Sequence, residues 1–336
     1  MCVRSASRWG LACALVLFAA SIGVAQIVNG HQWPQPRLNV LTPCGAKAGM
    51  TLEVAFTGTE LDEPTALIFS HPGIKGTPII PPEPKPDPKD PKKAVPPRPP
   101  VTKFAVTVAG DVPVGFYDVR FVGKNGVSNP RRFVVGDLVE VAEKEPNNDI
   151  GQEHKVEIGT TITGTIAAGT DVDYFGFVGK KGQRVVIECL TAEIDSRLDP
   201  EIRVLGAGRE LASYRPAPGQ DGVVDVVLPE DGDYLIRLNK FTYTVGNAEY
   251  FYRLNISTKP YIDAIYPPVI EPGKSAQVTL YGRNLPGGKV EPGQALEKLT
   301  VNVTAPGDPA SLDQLKFSGS INPLLGMLDG FEYRLN

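Results

Sequence analysis

The sequence is poor in the residues that metal and nucleophile chemistry draws on, with 4 cysteines and 3 histidines among 336 residues. His31, His71 and His154 fall at no zinc-ligand spacing, and there is no His-Glu-x-x-His run. No Gly-x-Ser-x-Gly elbow occurs, and Cys189 has no histidine partner nearby in sequence. Leu205-Gly206-Ala207-Gly208-Arg209-Glu210-Leu211 lacks the third glycine of a dinucleotide turn and has no βαβ context, so it reads as a hairpin. Asp231 and Asp233 read as turn residues rather than a catalytic pair. No residue is nominated as catalytic, and the chain is expected to be non-enzymatic.

Charge of one sign is also lacking. Lys and Arg number 34 against 38 Asp and Glu, a formal balance of −4. Without a basic face, nucleic acid is not an expected partner. Beyond the N-terminus no apolar run approaches the roughly 20 residues that cross a bilayer, and no i, i+3, i+4 pattern holds for three turns.

The N-terminus itself reads as an export signal. Arg4 and Arg8 precede an uncharged apolar run from Trp9 to Ile22, and Gly23-Val24-Ala25 supplies small residues for cleavage after Ala25. Residues 1–25 are therefore expected to be removed, leaving a periplasmic, cell-surface or extracellular protein with no membrane span. Cys13 lacks the large aliphatic residue three positions earlier that lipid attachment expects. Cleavage would leave Cys44 and Cys189, far apart in sequence, so no disulfide framework is expected.

What the chain has in quantity is 35 glycines and 32 prolines, the punctuation of many turns. Short alternating runs lie between them, such as Leu52-Glu53-Val54-Ala55-Phe56, Phe104 to Val108, Tyr117 to Val122, Val223 to Leu228 and Tyr234 to Leu238. This rhythm predicts an all-β protein of tandem β-sandwiches. Half of the 20 positions from Pro81 to Pro100 are proline, which favours extended, solvated backbone. Because neither flank has strands enough for a core of its own, the stretch is read as an insertion (78–102) inside one domain.

Pro36 to Pro43, Gly45, Gly49 and Gly58-Thr59-Glu60-Leu61 resemble the opening of an immunoglobulin-like IPT/TIG module, placed at 36–138. The pattern returns at Pro260 to Pro268, Pro272-Gly273, Val278 to Gly282 and Asn284-Leu285, giving a second such module at 260–336. Phe331 to Asn336 reads as a strand in progress, so that module is expected to be incomplete and the chain a portion of a longer protein.

Between them, 143–257 carries Glu143-Lys144-Glu145-Pro146-Asn147-Asn148-Asp149, Ile162-Thr163-Gly164-Thr165-Ile166, Asp171-Val172-Asp173-Tyr174-Phe175-Gly176-Phe177 and Pro229 to Arg237. In this order and spacing they closely resemble the bacterial pre-peptidase C-terminal domain, a jelly-roll-like β-sandwich of secreted proteins. Glu143, Glu145, Asn147 and Asn148 are hard oxygen donors at close spacing, and Asp171 and Asp173 could join them. The resemblance implies a structural Ca2+ held by these six residues; a solvated acidic linker is the other reading. The expected role is a binding or scaffolding segment for an extracellular polymer or protein, with an accessory segment of a secreted peptidase as the alternative.

Overall fold

The computed structural model describes residues 33–85, 95–242, 244–311, 313–314, 329–331 and 333–335. The expected export signal, residues 1–25, and the middle of the proline-rich stretch lie outside them. Within them the protein is all-β, as its alternating patterning predicts.

Nine strands build the first unit: β1 (Arg37–Thr42), β2 (Gly45–Lys47), β3 (Thr51–Thr59), β4 (Ala66–Phe69), β5 (Ile74–Pro78), β6 (Lys103–Val108), β7 (Gly115–Gly123), β8 (Gly126–Val127) and β9 (Arg131–Gly136). They form one ladder, β1-β3-β6-β5-β4-β7-β9-β2, with β8 on β7. The ladder curls on itself: the Asn129 side chain receives the Leu38 amide at 2.9 Å and donates to the Leu38 carbonyl at 3.0 Å, tying β1 back beside β9. Inside lie Leu38, Val54, Phe104, Phe121 and Phe133, all essentially sealed from water. β5 and β6 are hydrogen-bonded neighbours, so the proline-rich stretch joins adjacent strands of one sheet. More strands precede it than the sequence suggested, because β2 and β4, at 3 and 4 residues, are too short to show alternation.

Ten strands follow: β10 (Val139–Ala142), β11 (His154–Lys155), β12 (Thr160–Thr165), β13 (Val172–Gly179), β14 (Arg184–Leu190), β15 (Pro200–Gly206), β16 (Arg209–Tyr214), β17 (Gly222–Val227), β18 (Gly232–Lys240) and β19 (Phe251–Ser257). They make two five-stranded sheets, β10-β12-β19-β14-β17 and β11-β13-β18-β15-β16. Phe175, Ile187, Ile202, Ile236, Leu254 and Ile256 fill the space between them. Pro200 opens β15, where its missing N–H costs no ladder bond. The 206–209 glycine stretch is a hairpin turn, with Ala207 and Gly208 both at positive φ. Cys44 and Cys189 are buried, unpaired and in different units.

The last unit is a four-stranded sheet of β20 (Tyr261–Tyr266), β21 (Ser275–Arg283), β22 (Lys289–Val290) and β23 (Glu297–Thr304), ordered β20-β21-β23-β22. Phe331 and Leu335 pack on its core but lie outside any strand, unlike the expected Phe331–Asn336 strand. The opening hairpins of the first and last units match in detail. β1–β3 has a bulge between Leu38 and Val40, and β20–β21 has one between Ile262 and Ala264. A Cβ on Gly58 would meet the Arg37 carbonyl at 2.0 Å, and one on Gly282 the Tyr261 carbonyl at 2.1 Å. Each glycine thus marks a close backbone approach that no other residue permits.

Candidate metal centre

The acidic segment spans the open head of the second sandwich. Leaving β10, Glu143 donates its amide to the Thr163 carbonyl at 2.9 Å, extending the pairing with β12 in one sheet. Four residues on, the Asn147 carbonyl accepts from the Tyr174 amide on β13 at 2.8 Å, in the other sheet. The segment therefore laces the two sheets together, and its side chains turn into the gap between them.

There the side-chain oxygens of Glu143, Glu145 and Asp173 lie within 4.8 Å of one another. Asp173 and Asn147 are sealed from water, Glu143 is half-buried and Glu145 is exposed. Tyr252, on β19 of the sheet that Glu143 extends and opposite Asp173, puts its hydroxyl 2.7 Å from Glu143 Oε2 and 2.6 Å from Asp173 Oδ2. Gly164 makes the room: a Cβ there would sit 2.2 Å from that hydroxyl and 2.3 Å from Glu143 Oε2. Glu143 Oε1 accepts from the Thr165 amide at 2.8 Å.

One hydroxyl proton cannot serve two carboxylates, so the pair needs a further proton or a cation. Burial, followed by mutual repulsion with Glu143, pushes Asp173 up to about 8. Burial likewise pushes Glu143 up to about 7, against the pull of its bonds to Tyr252 and Thr165. The two titrate as a coupled set. The Asn147 amide lies against the same carboxylates. As placed, its oxygen faces only acceptors; turned over, its nitrogen would donate to Glu145 Oε2 at 2.9 Å and Asp173 Oδ1 at 3.3 Å. With its nitrogen inward the amide satisfies both carboxylates, so Asn147 lies against the cluster as a neutral polar neighbour. The donor set fits calcium, which takes oxygen from carboxylates and amides in irregular geometry.

Of the six residues nominated from sequence, Glu143, Glu145, Asn147 and Asp173 converge. Asp171 is buried at the margin, with Oδ2 accepting the Ala167 amide at 2.6 Å. Asn148 is exposed and turns its nitrogen, not its oxygen, toward Glu145 at 3.4 Å. Tyr252 was missed. Its separation from Glu143 and Asp173 in sequence hides it, and the only local trace is Gly164, a glycine inside a strand.

No protein-family model matches the chain. A 108-residue stretch, 31% of the chain, is 32% identical to a probable subtilase-type serine protease of Deinococcus radiodurans and spans 15% of that protein. Among solved structures, the pre-peptidase C-terminal domain of a Bacillus anthracis collagenase aligns over 34% of this chain and 100% of its own, at 14% identity and a TM-score of 0.26. A secreted serine protease of Vibrio cholerae aligns over 63% of this chain and 48% of its own, at 9% identity and a TM-score of 0.24.

Proposed function

We propose that the chain is a non-catalytic, exported scaffold whose second sandwich is locked by a calcium ion. The ion would be held by Glu143, Glu145, Asn147 and Asp173, with Asp171 supporting the rim. The observation that carries this is the convergence of the Glu143, Glu145 and Asp173 carboxylates, with the Asn147 amide beside them. The ion would fix the acidic segment to both sheets and so fix how the second sandwich follows the first; it would take part in no reaction. Such a segment suits a protein that holds an extracellular polymer or protein, or spaces other domains.

Thermal unfolding in calcium and in a chelator tests the ion. Binding to the native state alone adds about 2.7 kcal/mol at a hundred times the dissociation constant, so the melting midpoint should rise by several degrees. Asp173→Asn should abolish the rise. A wild-type midpoint indifferent to calcium would reject the ion. Retention on insoluble polysaccharide or collagen tests the scaffold role.

A second reading is favoured by the stretch shared with the subtilase-type protease: an accessory segment of a secreted peptidase. The purified chain should not hydrolyse casein under either reading. Slower maturation of a peptidase after deletion of 143–257 from its own polypeptide would favour the second.

A further inference from the structure

A second polar assembly lies away from the acidic head, on the outward face of the β10-β12-β19-β14-β17 sheet. A cleft of about 390 Å3 opens there, walled by Val134 and Gly136 of the first unit and by Lys259, Pro260 and Tyr261 leading into the last. That volume is at the lower end of the roughly 300–1,000 Å3 typical of small-molecule sites.

The walls are largely apolar and the floor is not. Thr161, Asn255 and Glu188 are register partners across β12, β19 and β14. They are joined in a row: Thr161 Oγ1 to Asn255 Oδ1 at 2.6 Å, and Asn255 Nδ2 to Glu188 Oε2 at 2.7 Å. In the next row Arg253 is 1% exposed. Its Nη2 donates to Glu140 at 2.6 Å, but Nε and Nη1 have no partner among the described residues. Buried donors left this way cost about 1–3 kcal/mol each unless something meets them.

The charges around the cleft say what kind of molecule would. Arg253 is paired with Glu140 and Lys259 with Asp137. Glu188 and Glu193 add two more carboxyls to the lining, so the cleft has no excess of positive charge to draw an anion. Burial holds the Glu188 carboxyl above the ordinary carboxylate range, and its Oε2 accepts from the Asn255 amide. What remains is a mixed set of donors and acceptors on a polar floor. Hydroxyl groups answer both, since each can donate and accept.

We propose that this cleft binds a small neutral sugar, its hydroxyls meeting Arg253 and the Thr161–Asn255–Glu188 row. The site is separate from the acidic cluster and does not depend on the ion proposed there.

Ligand-observed NMR and calorimetry on the whole chain, with glucose, galactose, N-acetylglucosamine and cellobiose, test it, with sodium acetate as the ionic control. At least one sugar should bind saturably and acetate should not. Ser257→Trp, on the cleft floor, should weaken binding at least tenfold with circular dichroism unchanged. Lys259→Trp, at the exposed rim, blocks from outside should the first variant not fold. Asp173→Asn should leave sugar binding intact, which separates this site from the acidic head. Absence of saturable binding by all four sugars, binding untouched by both blocking variants, or binding of acetate alone would overturn the proposal.

Discussion

Two regions of the molecule bury several charged side chains together, and they balance them in opposite ways. Between the second sandwich and the last sheet, Asp225 stands between Arg184 and Arg283, 2.6 Å from the Nε of each. Arg184 continues to Glu297 at 3.1 Å, Arg283 to Asp263, and the Asn284 amide donates to the Arg184 carbonyl at 3.0 Å. Every carboxylate there has its guanidinium. At the acidic head, by contrast, no ion pair among the described residues reaches Glu143, Glu145 or Asp173, and carboxylates face one another across a single tyrosine hydroxyl. Two carboxyls there rise toward neutrality, while the paired network needs nothing from outside. A buried carboxylate that faces its own kind is where a fold relies on an ion or a proton it does not itself supply.

The sharpest way to break the contrast is Asp225→Ala. It removes the carboxylate shared by two guanidiniums whose side chains are only 15% and 16% exposed, leaving Arg184 with Glu297 alone and Arg283 with Asp263 alone. The expected loss is about 3 kcal/mol, at the low end for a broken buried pair. Urea unfolding should show it equally with calcium and with chelator. A loss that calcium repairs would mean that the two regions are coupled rather than independent.

Gly164→Ala acts on the other region. The new methyl collides with the Tyr252 hydroxyl and Glu143, so overpacking should cost about 1–3 kcal/mol. The calcium response should shrink with it, because the oxygens that converge are the ones displaced. A stable variant with a full calcium shift would show that the hydroxyl position does not matter.

These two substitutions also mark what could be read from sequence. The acidic segment was legible because four oxygen-bearing residues stand within six positions, Glu143 to Asn148, a spacing that a solvated linker shares, and Glu143, Glu145 and Asn147 are those that meet Asp173. Their neutralising neighbour was not, since Tyr252 arrives from the last strand of the sandwich and reads as one more inward-facing aromatic. The paired opening hairpins were visible only as generic elements, shared Pro43 and Pro267, Gly58 and Gly282, Leu61 and Leu285. The carbonyl lying against each glycine is what makes them equivalent, and no composition encodes that. The Thr161–Asn255–Glu188 row alternates with apolar residues as any solvent-facing sheet would. Only the packing of the units turns that face inward.

Acidity sharpens the comparison without mutation. Asp173 and Glu143 titrate near 8 and 7 in the folded chain against ordinary values of 3.8 and 4.5. The unfolded chain therefore binds fewer protons than the native one between about pH 4 and 8. Their contribution to stability is fully present below pH 4 and is lost as pH rises toward 8. In chelator, wild type should lose stability over that window, and Asp173→Asn should flatten the loss. Calcium competes with those protons, so its stabilisation should be larger at pH 8 than at pH 5.

The smallest effect discriminates most finely. Tyr252→Phe removes one hydroxyl and leaves the ring, which packs against Phe175 at 6.4 Å between centroids. With calcium present, the carboxylates have the ion as a partner, and the expected cost is about 1 kcal/mol, that of a single hydrogen bond. In chelator the same change strips Asp173 and Glu143 of the donor they share, and the cost should be greater. Chemical denaturation of both proteins in both conditions forms a double-mutant-style cycle whose closing term is the coupling between hydroxyl and ion. A coupling of zero would place any bound calcium elsewhere, because an ion held by these oxygens must change what the hydroxyl is worth.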